Sequence, residues 1–236
     1  MSTASESATQ MRYARIAGFV YLLLIVLFMG GQFLIGHVTG SGTFAERTAH
    51  IVAGLPLYRA ALVVQLLASV FTVLLAYSLY VVLKPVDEHL ARLALYFRLG
   101  EAFGGLTTFV TFAALALRTE PEFAQSLGAS QVKTLVDLAR AADFASFNIS
   151  IVFFSFGSTL FYRLFLRTSY LPRALSAFGM FASALTFVVA VTGLVMPAWG
   201  NASQVGWIPI FIAEIAIGIL LMVRGARPAP ATTIAG

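Results

Sequence analysis

Residues 174–213 have the sequence ALSAFGMFASALTFVVAVTGLVMPAWGNASQVGWIPIFIA, with no Asp, Glu, Lys or Arg over forty positions. A helix that crosses a bilayer needs about 20 predominantly apolar residues, so this stretch is too long for one span. Proline, glycine and asparagine interrupt it at Pro197-Ala198-Trp199-Gly200-Asn201, a combination that breaks helices. The stretch therefore predicts two membrane spans, over about 174–196 and 205–223, joined by a short connection.

Four further apolar stretches pass the same length test, at about 16–35, 60–83, 93–117 and 144–162. No small-residue cleavage site follows the first, so we expect it to stay as a span and not to be removed as a signal peptide. The sequence predicts an all-α polytopic membrane protein with six transmembrane helices in a single domain over residues 12–226. Residues 1–11 and 227–236 are predicted to be disordered tails.

The composition supports this class. The chain is 59% hydrophobic and 11% charged, against about 45–50% and 25% in an ordinary soluble domain, so the lipid bilayer is the expected partner. The net charge of +5 fits basic residues at span ends and does not indicate nucleic acid. The absence of cysteine and the scattered positions of His37, His50 and His89 predict no metal site and no cofactor.

Lysine and arginine near the span ends predict the orientation, because cytoplasmic ends carry an excess of both. With the N-terminus inside, the cytoplasmic side holds ten basic residues and the outside five, and we expect both termini in the cytoplasm and the chain in the plasma membrane. The inner ten are Arg12, Arg15, Lys84, Arg92, Arg98, Arg163, Arg167, Arg173, Arg224 and Arg227, and the outer five are Arg47, Arg59, Arg118, Lys133 and Arg140. Several tyrosines, Tyr162 among them, are assigned to the inner aromatic belt.

The outer connection between spans three and four is long enough to have its own structure. Thr119 and Glu122 fit a capping box. An apolar stripe follows, formed by Val132, Leu135, Val136, Ala139 and Ala142, and it predicts an amphipathic helix. We expect this helix to lie over the outer membrane surface. It could be a solvated lid that runs directly into span four or a dedicated partner site, and we favour the lid.

Three charged residues lie within the spans and are the candidate functional residues. A charge at mid-span costs at least about 2.5–3.5 kcal/mol, so such side chains face the bundle interior. The helical rise puts Arg98 about 8 Å, Glu101 about 12 Å and Glu214 about 14 Å from the cytoplasmic span ends, with Tyr21 and Tyr77 about 8–9 Å deep. We predict that these five residues form one polar layer in the cytoplasmic half of the bundle.

Other interpretations of these residues stay open. Arg98 could snorkel to the headgroups, and the two glutamates could fix helix register. If the layer forms, one arginine against two carboxylates leaves a negative charge unless one carboxyl is protonated. Gln32, Gln65 and Asn148 are predicted to form a second polar layer of ordinary interhelical hydrogen bonds, and the face of Gly100 and Gly104 is predicted to let another helix pack closely.

The chain resembles a family in several segments. They are 14–18 (ARIAG) with Tyr21-Leu22, 79–86 (LYVVLKPV), Phe97-Arg98-Leu99 with Glu101-Ala102, 169–173 (SYLPR) and Ala213-Glu214-Ile215. These segments are similar to the prokaryotic membrane proteins grouped as domain of unknown function 4386. The resemblance implies a multi-span helical protein of bacteria or archaea, and it implies no activity, substrate or cofactor. It also leads us to expect Asn in many relatives where this chain has Asp87.

Three function classes remain, and none comes with an assigned catalytic residue. We favour a non-enzymatic structural or regulatory membrane protein with a buried Arg/Glu layer. The alternative is a small-molecule or proton-coupled transporter, or a ligand-binding membrane protein, that uses Glu101 and Glu214 and takes up its substrate from the cytoplasm. An intramembrane enzyme with a Glu acid/base pair is the third, although no Gly-x-Ser-x-Gly elbow or nucleotide loop is present. A cavity at the layer would favour the last two classes, and a dry, close-packed layer the first.

Overall fold

Long apolar segments of this chain form helices. This is expected in a bilayer, because lipid offers no hydrogen-bond partner and the backbone N–H and C=O groups must pair with one another. The structure, a computed structural model, describes residues 3–104, 108–196 and 204–226, and no strand occurs in them. A short 3-10 helix at Gln204–Trp207 precedes the last α-helix. The α-helices are α1 (Thr3–Thr39), α2 (Phe44–Ala53), α3 (Leu55–Leu83), α4 (Glu88–Gly104), α5 (Thr108–Thr119), α6 (Pro121–Leu127), α7 (Ala129–Leu166), α8 (Arg173–Val195) and α9 (Ile208–Arg224).

Within the described residues, six segments are long and apolar enough to cross a membrane, and they confirm the predicted all-α architecture with six spans. The third of them comprises α4 and α5. The predicted connection at 197–201 and the predicted tail at 227–236 lie outside the described residues. The six segments are Glu6–Thr39, Leu55–Leu83, Glu88–Thr119, Ala129–Leu166, Arg173–Val195 and Val205–Arg224.

The helices form one bundle in which both ends of the described chain lie together. α1 packs between α3 and α9, and α7 packs between α4 and α8. Gln10 Nε2 donates hydrogen bonds to Val82 O at 2.6 Å and to the hydroxyl of Tyr170 at 2.9 Å, and Met11 lies against Gly225. We call this end of the bundle the termini side, and the opposite end, which carries α2 and α6, the loop side.

The same contacts correct one prediction. α1 begins at Thr3, so the predicted disordered tail is wrong for residues 3–11. Ser, Thr and Ala in a segment with one charge do not by themselves favour a helix. The hydrogen bonds of Gln10 and the packing of Met11 supply tertiary contacts that stabilise the additional turns, as tertiary packing does for most helices in proteins.

The predicted capping box at Thr119 is also wrong. Thr119 is the last residue of α5, and its hydroxyl donates to Leu115 O at 3.0 Å, within the preceding turn. A capping box occurs instead at the start of α2. Thr43 N donates to Glu46 Oε2 at 2.7 Å, and Glu46 N donates to Thr43 Oγ1 at 3.3 Å. The same Thr-x-x-Glu spacing is present at both positions, so the pattern alone does not choose between them.

The helix predicted in the outer connection runs straight into span four, because α7 continues from Ala129 to Leu166. Its apolar stripe packs on protein. Val132 and Val136 are buried against Ala114 of α5, whereas Leu135, which belongs to the same predicted stripe, is exposed. The predicted helix is therefore continuous with span four, and part of its apolar stripe lies on α5.

Glycines bring the helices that carry the candidate residues into close contact. A Cβ atom on Gly18 of α1 would lie 2.6 Å from Gly218 O and 2.8 Å from Met222 Cα of α9. On α4, a Cβ atom at Gly100 would contact the Phe153 ring of α7, and one at Gly104 would overlap Ser150. This confirms the prediction that the small-residue face of span three lets another helix approach.

Asp87 caps α4, the helix that carries Arg98 and Glu101, and it provides a first prediction. Leu90 N donates to Asp87 Oδ1 at 3.1 Å, and Arg167 Nη1 donates to Asp87 Oδ2 at 3.1 Å. The Leu90 amide first, and Arg167 second, hold the pKa of Asp87 below its usual range. Because the folded pKa lies below the unfolded one, the cap stabilises the protein above the unfolded pKa. That stabilisation is lost as pH falls through the folded pKa.

A carboxyl-carbon NMR titration of Asp87 checks this. We expect Arg167→Gln to raise the pKa of Asp87 only part of the way to its usual value, because the Leu90 amide still donates. An ordinary pKa for Asp87 in the unsubstituted protein would contradict the cap.

Candidate functional site

Arg98 is the centre of the candidate site. Its side chain is 2% exposed, although it lies on a helix of a membrane bundle. Arg98 Nε forms an ion pair with Glu101 Oε2 at 3.0 Å, one turn further along α4. Arg98 Nη1 donates to Ser158 Oγ of α7 at 3.2 Å, and the guanidinium carbon lies 4.7 Å from the centre of the Phe154 ring. Arg98 therefore points into the bundle, and the snorkelling interpretation is wrong.

Gly157 makes room for this arginine. A Cβ atom at Gly157 of α7 would lie 2.8 Å from Arg98 Cγ and 3.0 Å from Arg98 Cδ. The aliphatic stem of Arg98 thus crosses α7 where α7 has no side chain. The guanidinium reaches Ser158 and Phe154 from there.

Glu214 of α9 and Tyr21 of α1 lie at the same place. Both line one cavity together with Arg98 and Glu101, and Tyr21 interacts electrostatically with all three charged groups. The structure therefore brings together four of the five predicted residues, from α1, α4 and α9. Glu214 is half-buried, and no hydrogen bond or ion pair reaches its carboxylate from any residue that the structure describes.

Tyr77, the fifth predicted residue, lies elsewhere. It is 46% exposed, and its ring packs against Tyr13, with ring centres 5.7 Å apart, on the outside of the bundle. The buried face of α3 at this level is formed by Leu75, Ala76 and Leu79. The error arose because helical rise gives the depth of a residue but not its direction around the helix axis.

Tyr162 of α7 lies near the layer, although its position at the end of span four predicts a place in the inner aromatic belt. It is 1% exposed and interacts electrostatically with Tyr21, Glu214 and Arg98. Its hydroxyl has no hydrogen-bond partner among the described residues. One signal could have identified it. Tyr162 follows Phe154 and Ser158 at spacings of four, so all three lie on one face of α7.

A cavity of about 500 Å³ begins at this layer and extends towards the loop side, where Arg140 and Asp143 line it. This volume is within the range of small-molecule sites, about 300–1,000 Å³. The cavity lies on the loop side of the layer, whereas the transport alternative expects substrate to enter from the side of the termini. Tightly packed apolar residues, 0–2% exposed, form the core on the termini side: Leu79, Val82, Leu83, Phe161, Leu164, Phe165 and Leu221.

Aromatic rings form much of the cavity wall. Phe28 of α1 stacks on Phe147 of α7 with ring centres 6.1 Å apart, and Phe147 lies 5.6 Å from Trp207 of the 3-10 helix. Phe154 and Phe211 also line the cavity. The site thus combines one charged layer with a largely apolar cavity on the loop side of that layer.

The interhelical hydrogen bonds predicted for Gln32, Gln65 and Asn148 do not occur among the residues that the structure describes. Gln32 and Gln65 both line the cavity, and Gln65 Nε2 is buried without a hydrogen-bond partner in the described structure. Asn148 is separate from them, because it donates to Phe144 O of its own helix at 2.8 Å and packs against Gly193 of α8. Within the described residues, no group of three or more His, Cys, Asp or Glu side chains could hold a metal ion.

A family model described as Domain of unknown function (DUF4386) matches residues 16–225. The chain belongs to this family. The matched region includes every residue of the charged layer and of the cavity wall, so the site lies within the DUF4386 domain and not in an appended segment. No curated protein and no solved structure matches the chain.

Proposed function

We propose that this DUF4386 protein binds a small organic cation in the central cavity and exchanges it for a proton at Glu214. The observation that carries the proposal is the unpartnered carboxylate of Glu214, among the described residues, in the wall of a cavity of about 500 Å³. Arg98 is already engaged by Glu101, Ser158 and Phe154. The layer therefore has one positive and two negative groups, and Glu214 is the group available to a ligand.

The cost of burying an unpaired carboxylate supports an exchange of this kind. A buried charge without a partner is strongly unfavourable, so it takes up a proton or pairs with a cation. A cationic ligand at Glu214 displaces the proton, and loss of the ligand restores it. Glu101 is less suited to this role because Arg98 already pairs with it at 3.0 Å.

The aromatic wall supports the choice of ligand. Cations are attracted to the faces of aromatic rings, most strongly where water is excluded. Phe28, Phe147 and Trp207 lie in successive ring contacts along the cavity. A ligand with a positive group and an apolar body would place the charge at Glu214 and the body against these rings.

The cavity also bears on the choice between function classes. A structural or regulatory layer needs close packing and no cavity, whereas a cavity at the layer suits a ligand-binding or transport protein.

We further propose that the protein lies in the plasma membrane with both termini in the cytoplasm, as the excess of lysine and arginine on the termini side supports. In this orientation the cavity faces the outside of the cell.

The test measures quenching of Trp207 fluorescence by tetraphenylphosphonium in purified protein that carries Trp199→Phe, which leaves Trp207 as the sole tryptophan. We expect Glu214→Gln to weaken binding at least about thirtyfold, since losing one partner of a desolvated charge pair costs about 2 kcal/mol or more. Glu122→Gln is the matched control, because it removes the same charge from an exposed position. Neutral triphenylphosphine oxide should bind equally well with and without the Glu214→Gln substitution.

Proton exchange has its own readout. Binding should strengthen as pH rises, because protons compete for Glu214, and calorimetry in buffers of different ionisation enthalpy should detect release of up to about one proton per cation. Equal binding of tetraphenylphosphonium by the Glu214→Gln variant, or no release of protons, would refute the proposal.

A further inference from the structure

A second cavity, of about 360 Å³, lies at the loop side next to the central cavity. Gln32, Gln65, Arg140 and Asp143 line both cavities, so the two are neighbours. We call the second cavity the arginine chamber, because Arg47, Arg118 and Arg140 all line it. The proposed function does not use these three arginines.

The three arginines come from separate helices that fold towards one another. Arg118 at the end of α5 donates from Nη1 to Thr48 Oγ1 of α2 at 2.9 Å, and its guanidinium lies 4.6 Å from the centre of the Phe44 ring. Arg47 precedes Thr48 on α2, and Arg140 is on α7. Arg118 interacts electrostatically with both of the other arginines.

None of the three guanidinium groups has a carboxylate partner within ion-pair distance in the part of the chain that the structure describes. The Nε atom of Arg47 is buried and lacks a hydrogen-bond partner there. Asp143, the acidic residue of the chamber, accepts a hydrogen bond from Thr111 Oγ1 at 3.5 Å. The chamber therefore has three positive groups and one negative group, and donors that no protein acceptor in the described residues uses.

We propose that the arginine chamber binds a phosphate-type oxyanion, either a free anion or the phosphate of a lipid headgroup. Guanidinium groups present planar pairs of N–H donors that match the oxygens of phosphate, and several of them around one space favour an anion with more than one acceptor oxygen. The chamber lies at the end of a membrane bundle, which is the level at which headgroups occur.

One consequence rests on the proposed function. Arg47, Arg118 and Arg140 give the chamber a positive charge, which opposes the approach of a cation to Glu214 from the loop side. An oxyanion bound in the chamber neutralises this charge. Inorganic phosphate should therefore strengthen binding of tetraphenylphosphonium in the unsubstituted protein, and by the same factor tetraphenylphosphonium should strengthen binding of phosphate.

The direct test is calorimetric titration of inorganic phosphate into the full chain in a maltoside detergent, which contains no phosphate. Chloride at equal ionic strength controls for screening. We expect Arg47→Gln and Arg140→Gln each to weaken phosphate binding at least about tenfold, the effect of losing a charge-assisted hydrogen bond. Arg59→Gln is the matched control, because this variant loses the same charge from an exposed site outside the chamber and should bind phosphate normally.

Addition of phosphatidylglycerol distinguishes the two sources of phosphate. If the lipid displaces inorganic phosphate from the unsubstituted protein, the chamber holds a headgroup, and if it does not, the chamber holds a free anion. No binding of either probe, or equal losses in Arg59→Gln and Arg140→Gln, would overturn the proposal. The Glu214→Gln variant should still bind phosphate, so this test does not depend on the proposed function. If the proposed function fails, only the coupling between phosphate and tetraphenylphosphonium is lost.

Discussion

Replacement of Arg98 by alanine is expected to lower the free energy of unfolding by about 3–5 kcal/mol, the cost of removing one partner from a buried ion pair. Glu101 would lose its partner at 3.0 Å, and Ser158 and Phe154 would lose their contacts with the guanidinium. Two uncompensated carboxylates, Glu101 and Glu214, would then share one cavity wall. Titration with sodium dodecyl sulfate, followed by circular dichroism, measures the change.

A second arginine on α4 supplies the control. Arg92 pairs with Glu88 on the helix surface, where both side chains are about half exposed, and Arg92→Ala should cost no more than about 1 kcal/mol. Pairing Arg98→Met with Glu101→Gln should recover much of the loss, because neutral groups of similar volume replace the ion pair. Equal effects of Arg98→Ala and Arg92→Ala would mean that the buried pair does not stabilise the fold.

Gly18→Val is expected to destabilise the protein by about 3 kcal/mol, at the upper end of the range for overpacking. The atoms nearest to a new Cβ belong to the backbone of α9, with Gly218 O at 2.6 Å, so they cannot rotate away as a side chain could. α9 must move away from α1, and this movement separates Glu214 from Tyr21. We therefore expect weaker tetraphenylphosphonium binding together with the loss of stability.

The control for this substitution lies on the same helix. A Cβ atom at Gly30 meets no other atom within 4 Å, so Gly30→Ala should be tolerated or slightly stabilising, since alanine favours helices by about 1 kcal/mol over glycine. If Gly18→Val were as mild as Gly30→Ala, the close contact between α1 and α9 would not be a requirement for folding.

Most of the fold could be predicted from the sequence because a span is a local property. Twenty apolar residues predict a transmembrane helix wherever they occur, and the six spans followed from that test alone. The residues at which the helices begin and end depend on tertiary contacts, which a local stretch of sequence does not show. Residues 3–11 are helical because Gln10 and Met11 make tertiary contacts. Thr119 has the spacing to Glu122 that a capping box needs, but its hydroxyl donates to Leu115 O in the preceding turn.

The candidate site was predictable to the extent that charge and depth define it. Arg98, Glu101 and Glu214 are costly in a bilayer, so they were expected to meet inside the bundle. A tyrosine is uncharged and carries no comparable penalty when it faces lipid, so depth alone places Tyr77 in the layer and leaves Tyr162 at the end of its span. The arginines of the chamber were counted as outer basic residues. Their convergence depends on the contacts of α2, α5 and α7, which no local pattern shows.

The dense apolar core between the charged layer and the termini side makes the central cavity a blind-ended pocket. A molecule that reaches Glu214 from the loop side meets Leu79, Val82 and Phe161 beyond it, all almost fully buried. Net passage across the membrane therefore requires a second arrangement, in which α1, α3 and α7 separate below Arg98 while the loop side closes. A receptor that reports occupancy by a ligand would need no such rearrangement.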